Sequence, residues 1–216
     1  MPFRWRPTTS LETTASYLYS HMLSASDLLT WQYAKVGNSC LLAPPSNIAR
    51  DWDLVKGVPR AANFQPDARC SMDPGFPKLV GLTDNTRNPS SLIIASRRLQ
   101  EFLAAKVLKN VEFLPISIVN HKGRVASADY FIVHPVYPQD CLDVDASGCE
   151  YNLLIKTYID AVKRIVIAFN RLDPDVSVFR VKNFRSLILV RRTLAAELVA
   201  AGFSGLRFGE LQDYRD

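Results

Sequence analysis

Residues 91–113 read SLIIASRRLQEFLAAKVLKNVEF, and residues 186–208 read SLILVRRTLAAELVAAGFSGLRF, with identical spacing and no gap. Ser91, Leu92 and Ile93 match Ser186, Leu187 and Ile188, and Arg97, Leu99, Leu103, Ala105 and Phe113 match Arg192, Leu194, Leu198, Ala200 and Phe208. Unrelated segments of this length share about one or two identities. A unit this long, present only twice, is not the short element of a solenoid, so the pair predicts two halves of one fold. In each copy a short apolar run (Leu92–Ala95, Leu187–Val190) suits a buried strand. The spacing then turns helical, at Leu99, Phe102, Leu103 and Val107 in the first copy and Leu194, Leu198 and Ala201 in the second. Asn110 and Gly205, residue types that readily accept positive φ, follow at equivalent places, and new strands begin at Val111–Phe113 and Leu206–Phe208. The predicted fold class is α+β, with internally duplicated strand-helix-strand units (91–113 and 186–208) and a β-hairpin between them. That hairpin is expected from Val111–Val119, a four-residue turn at Asn120–Gly123, and Arg124–Val136.

Outside these units the pattern is less regular. Residues 1–80 hold most of the chain's 13 prolines and few periodic apolar segments. This predicts a loop-rich N-terminal region packed on an α+β core at 81–216, the whole forming one cooperative unit. A short helix around Leu18–Trp31 and a strand around Trp31–Val36 are the elements expected there. Between the copies, Tyr151, Ile155, Tyr158, Ile159, Val162, Ile165, Val166 and Phe169 fit a helical stripe, while β-branched Ile165-Val166-Ile167 suits a strand. The reading is helix first and strand at the end, with Pro174 stopping any continuation and Val176–Val181 forming a further short strand.

The 216 residues are 48% hydrophobic and 22% charged, ordinary for a globular protein, and no stretch approaches the ~20 apolar residues of a membrane span. The N-terminus has basic residues but neither a continuous apolar segment nor a small-residue cleavage site, so a cytoplasmic location is expected. Four cysteines without a C-x-x-C pair suit reduced thiols. The net charge of +5 is compatible with nucleic acid, an acidic protein partner or merely a soluble surface, and does not choose among them.

Candidate chemistry is sparse. Asp143-Val-Asp145-Ala-Ser147-Gly148 matches the first half of a calcium loop, but position twelve, which needs a bidentate Glu, is Leu154. Ser147-x-x-Glu150 is instead read as a capping box at a helix start. A metal-dependent enzyme around Asp140, Asp143 and Asp145 would need further histidines or carboxylates that the spacing does not offer. There is no G-x-S-x-G, no H-E-x-x-H and no Gly-rich phosphate loop. Arg97-Arg98 and Arg191-Arg192 lie at the first turn of the duplicated helices, where the helix dipole disfavours cations. They are read either as a solvated face or as a basic patch that accepts a partner's carboxylates. Aliphatic rather than aromatic neighbours argue against a nucleic-acid stacking platform.

Ser91-Leu-Ile-Ile-Ala-Ser96 with its helix, Val111-Glu-Phe-Leu-Pro115, Tyr130-Phe-Ile, Asp140-Cys-Leu-Asp143 followed by Ser147, Phe179-Arg180 and Ser204-Gly-Leu-Arg-Phe208 carry a further signal. Their order and spacing over residues 84–208 resemble the eleventh numbered family of bacterial immunity proteins, formerly a domain of unknown function. Gly57-Val58-Pro59 adds a looser match. The resemblance implies an α+β binding protein rather than an enzyme, without a cofactor. Encoded beside a toxic effector, it would bind that effector and protect the producing cell and its kin. It also implies structural roles for Asp140, Asp143, Ser147, Phe179 and Arg180, as loop caps and as a buried aromatic with its anchored guanidinium. The family has Ser-Glu where this chain has Arg191-Arg192, which makes Arg97, Arg98, Arg191 and Arg192 the candidate partner-binding residues. The rival readings are a basic nucleic-acid-associated regulator and a metal-dependent enzyme around Asp140–Asp145.

Overall fold

A computed structural model describes residues 24–214. In chain order the elements are β1 (Leu28–Tyr33), α1 (Trp52–Lys56), β2 (Arg69–Ser71), β3 (Asn85–Thr86), β4 (Ile93–Ser96) and α2 (Arg97–Ala104). There follow β5 (Val111–Val119), β6 (Val125–Pro135), α3 (Val144–Ser147), β7 (Cys149–Tyr151), β8 (Ile159–Val162), β9 (Val178–Arg180), β10 (Ile188–Arg191), α4 (Arg192–Ala200) and β11 (Leu206–Glu210). Among the described residues no helix is long and apolar enough to cross a membrane.

Both sequence copies form strand, helix, strand, and their elements begin at equivalent positions: Ile93 and Ile188, Arg97 and Arg192, Val111 and Leu206. Each unit belongs to its own sheet, one in the order β2-β5-β6-β4-β3 and the other in the order β11-β1-β10-β9. In each, the unit's two strands flank a third that runs antiparallel to both. Ile132 of β6 lies between Ile94 and Leu114, and Phe131 lies between Ala95 and Pro115. Thr30 of β1 lies between Leu189 and Gly209, and Leu29 lies between Val190 and Glu210, the corresponding residues of the second copy. The register is thus the same in both sheets although the middle strand comes from opposite sides of the chain.

The expected hairpin is β5 and β6, closed by Asn120 N donating to Arg124 O at 2.8 Å and by Gly123 at φ +73°. Pro115, which has no N–H, sits where β2 does not reach, since β2 pairs only with Ser117–Val119. The helices α2 and α4 cover a shared core. Leu99 and Leu103 pack with Leu194 and Leu198, over Ile93, Val133, Leu29, Trp31 and Val190 from both sheets. A second core joins Cys40, Leu42, Leu54 and Met72 to Ile94, Leu114 and Ile132, and a third gathers Phe179, Phe184, Leu187 and Leu189 with Ile165, Ile167 and Leu28.

Several expectations need correction. Of the helix expected at Leu18–Trp31, residues 18–23 lie outside the described residues, and from Ala25 the chain makes one 3₁₀ turn before β1. Leu28–Trp31 is buried with strands on both edges, and that pairing outweighs any local helical preference. No α-helix forms over residues 151–168: β7 and β8 pair as a short hairpin, and Ile167 makes only an isolated bridge with Leu142. The helix cap also differs. Asp143 accepts from Ala146 N at 3.0 Å to start α3, with Gly148 at φ +62° ending it. Ser147, at the end of that helix, accepts from Val166 N at 3.1 Å, and Glu150 lies in β7. Gly205 takes positive φ (+77°) as expected, but Asn110 does not. In the first copy positive φ falls at Val107, the position equivalent to Gly202 in the second, and Asn110 is buried with its amide donating to Val178 O at 3.0 Å.

Candidate partner-binding surface

The four arginines singled out by sequence occupy four different environments. Arg97 donates through Nε and a terminal nitrogen to Asp129 (3.0 and 2.6 Å) and lies over the Phe131 ring. Arg98 pairs with Asp84 at 3.0 Å, stacks on Phe203, and donates to Ala201 O at 2.7 Å. That last contact explains a cation at the start of α2. It sits at the C-terminal end of α4, where the partial charge is negative. Asp84 also receives the Ser96 hydroxyl and the Ser204 amide and hydroxyl. Burial pushes its carboxyl upward, but these donors and Arg98 together hold it below the usual carboxylate range. Arg192 forms a two-point pair with Glu210 (2.9 and 2.6 Å) and reaches Ser26 O.

Arg191 turns inward. Its guanidinium donates to Val176 O at 3.0 Å, Asp173 O at 3.1 Å and Pro174 O at 3.3 Å. It occupies the N-cap of α4 without a side-chain cap bond, whereas the equivalent Ser96 caps α2 by accepting from Leu99 N. The residues of the resemblance are likewise placed. Asp140 pairs with Lys182 at 2.9 Å, and Phe179 is fully buried. Arg180, 1% exposed, donates to Ser91 O at 3.0 Å and to Arg185 O. Burial lowers its pKa to about 10, with nearby Tyr33 opposing that shift. Tyr33 is itself pushed up to about 12 by burial, and its hydroxyl donates to Leu92 O.

The most exposed apolar side chains lie elsewhere, at the tip of the β7–β8 hairpin. Leu153 and Leu154 are 91% and 93% exposed, and Tyr151 and Ile155 are also exposed. Exposing adjacent leucines has an unfavourable hydration cost, so a folded chain that does so leaves them available for burial by something else. The loop is nonetheless firmly held. Asn152 accepts from Leu154 N (3.0 Å) and Ile155 N (2.8 Å) and donates to both carboxylate oxygens of Asp160 (3.1 Å each). The Asn152 backbone N–H donates to Tyr158 O, and Tyr158 N donates to Ile155 O, both at 2.8 Å. Beside the loop, the Arg185 guanidinium stacks on the Tyr158 ring 3.3 Å from its centroid. Cavities of about 320 and 410 Å3 adjoin that stack, both lined by Val55, Tyr158 and Arg185.

Sequence periodicity places Tyr151, Ile155 and Tyr158 on a helical stripe, which the structure does not form. The signal against it is local: the turn-forming Asn152 follows Tyr151 directly, and Leu153 falls off that stripe. Among the described residues no group of three or more His, Cys, Asp and Glu side chains could hold a metal ion. Asp140 and Asp143 are engaged with Lys182 and the α3 cap.

A search of the curated proteins finds no match to this chain. The model of the immunity protein family (Imm11) matches residues 39–213, which takes in α1 to β11 and both sheets except β1. The chain therefore belongs to the immunity protein family (Imm11).

Proposed function

We propose that this protein is a cytoplasmic immunity protein that binds a cognate secreted antibacterial toxin, encoded by the adjacent gene, and neutralises it by stoichiometric association. Family membership supplies the class, and one geometric observation carries the mode of action: two adjacent leucines displayed on a loop whose backbone Asn152 has already fixed. A preformed apolar anchor binds without the entropic cost of ordering a loop, and a few residues dominate the energy of typical interfaces. The groove around Tyr158 and Arg185 would extend the contact beside them.

The arginines enter as secondary contacts. Arg191 is committed to three backbone carbonyls, and Arg97, Arg98 and Arg192 would have to share or release Asp129, Asp84 and Glu210 to meet a partner. Such charges contribute to specificity and encounter rate more than to affinity.

The test is calorimetric titration of the purified protein with the toxin encoded beside it. We expect one-to-one binding, weakened at least tenfold by Leu153→Asp with Leu154→Asp and less by charge reversal at Arg97 and Arg192. Absence of binding would remove the proposal, and undiminished binding by the leucine variant would remove the loop from it.

A further inference from the structure

The chain holds a second surface unlike the first. Residues 34–41, just after β1, and residues 75–87 run beside each other and enclose a cavity of about 510 Å3, a size typical of preformed binding sites. The two segments are tied by backbone hydrogen bonds: Cys40 N to Gly81 O at 2.8 Å, Gly81 N to Asn38 O at 3.0 Å and Leu42 N to Arg87 O at 2.9 Å. Apolar groups including Leu41, Phe76 and Leu79 line the cavity. On the same two segments Val36, Phe76, Val80 and Leu82 remain exposed. Soluble proteins rarely leave such a set uncovered.

Charge decides what fits. Lys35, Lys78 and Arg87 line the cavity, no Asp or Glu does, and none of the three makes an ion pair among the described residues. This contrasts with Arg97, Arg98 and Arg192, each of which has a carboxylate. A second copy of this chain, with a net charge of +5, would be repelled. Residues 1–23 offer Arg4 and Arg6 against only Glu12, the wrong sign as well.

We infer that this cavity receives a segment of the toxin in which acidic and apolar side chains alternate, the apolar ones entering the floor and the carboxylates meeting Lys35, Lys78 and Arg87. The inference rests on the proposed toxin-binding function and names the chemistry of the partner at this site. Complementary charge around an apolar centre gives both orientation and selectivity against basic surfaces.

The probe is a fluorescein-labelled synthetic peptide repeating Glu-Leu-Asp-Phe, titrated by fluorescence anisotropy into the full chain. Peptides of equal length repeating Lys-Leu-Arg-Phe and Glu-Ser-Asp-Thr serve as comparisons. We expect saturable binding of the first alone, weakened at least tenfold by about 0.5 M salt, which screens exposed charges. The same loss is expected in the variant Lys35→Glu, Lys78→Glu, Arg87→Glu, whose circular dichroism should match the parent. Binding of all three peptides alike, of the basic peptide in preference, or of none would overturn the inference. The toxin itself separates the two claims. Toxin binding equal in parent and triple variant would refute the cavity's role while leaving the immunity function standing; a toxin bound by neither would refute the function.

Discussion

The two strand-helix-strand units share a register but complete it differently. The first finds its middle strand, β6, across the short turn after Val119, whereas the second takes β1 from near the start of the described chain. Identical pairing with such different connectivity shows that the strand register is set by the faces presented to the common core, and not by the loop that delivers the strand. The edge strands are matched too, and each reaches across to the opposite unit. Asn85 of β3 donates to Gly205 O and Gln32 O and accepts from the Trp31 indole, while Arg180 of β9 donates to Ser91 O just before β4.

Cutting one of these cross-links should destabilise the fold most. Arg180→Ala leaves the Ser91 and Arg185 carbonyls unpaired around a cavity, and should lower unfolding free energy by about 3–5 kcal/mol in urea denaturation. Arg180→Met, which fills the volume and removes a desolvated charge, should cost less. If both cost the same, hydrogen bonding rather than volume accounts for the site.

Next is the close approach between the units at Gly205. A Cβ there would lie 2.3 Å from Asn85 O, and φ is +77°. Gly205→Ala should cost about 3 kcal/mol, against about 1 kcal/mol for Gly202→Ala, where φ is +65° and nothing lies within 4 Å. Equal costs would show that backbone conformation alone, not packing between the units, matters at Gly205.

The same comparison yields a stabilising change. Val107 takes φ +51° where the second unit has Gly202, and its side chain is exposed, so the first unit bears a strain that the second avoids. Val107→Gly should raise stability by about 0.5–1 kcal/mol by thermal melting. A loss would mean that glycine's freedom in the unfolded chain outweighs the strain.

The smallest effect concerns His134 of β6, buried with its ring against Val58 O at 2.9 Å. Desolvation lowers its pKa below 6.5, outweighing the Val58 bond, with Arg180 adding to the lowering. Between 6.5 and the lower folded value the unfolded histidine takes up protons that the folded one excludes, so stability falls as pH drops through this window. His134→Gln should flatten the difference between urea midpoints at about pH 7.5 and about pH 5.5. An unchanged slope would assign the loss to other groups, the carboxylates among them.

The contrast between the units also explains what the sequence disclosed. Their strands, helices and the hairpin were legible because apolar spacing and turn residues act over short range, and Gly205 announced its own conformation. The strand β1 was legible only at its end: a strand is expected from Trp31, but Leu28-Leu-Thr reads as helix, because the stretch has no clear alternation and its partners are Ile188–Arg191 and Leu206–Glu210, at the far end of the sequence. The apolar loop misled for a related reason. Periodicity assumes that apolar residues at helical spacing are buried together, and Tyr151 and Ile155 are not. The Arg191 side chain was invisible as an interior group because its partners are backbone carbonyls, which leave no mark in residue identities.

Neutralisation by stoichiometric binding, as proposed, is tested most directly by titrating this protein into the purified toxin proposed to be encoded beside it and following the toxin's activity. Activity should fall linearly to zero at one equivalent, with a break at the same point for complex formation. Complete inactivation at a small fraction of an equivalent, or full activity in excess of the protein, would contradict it.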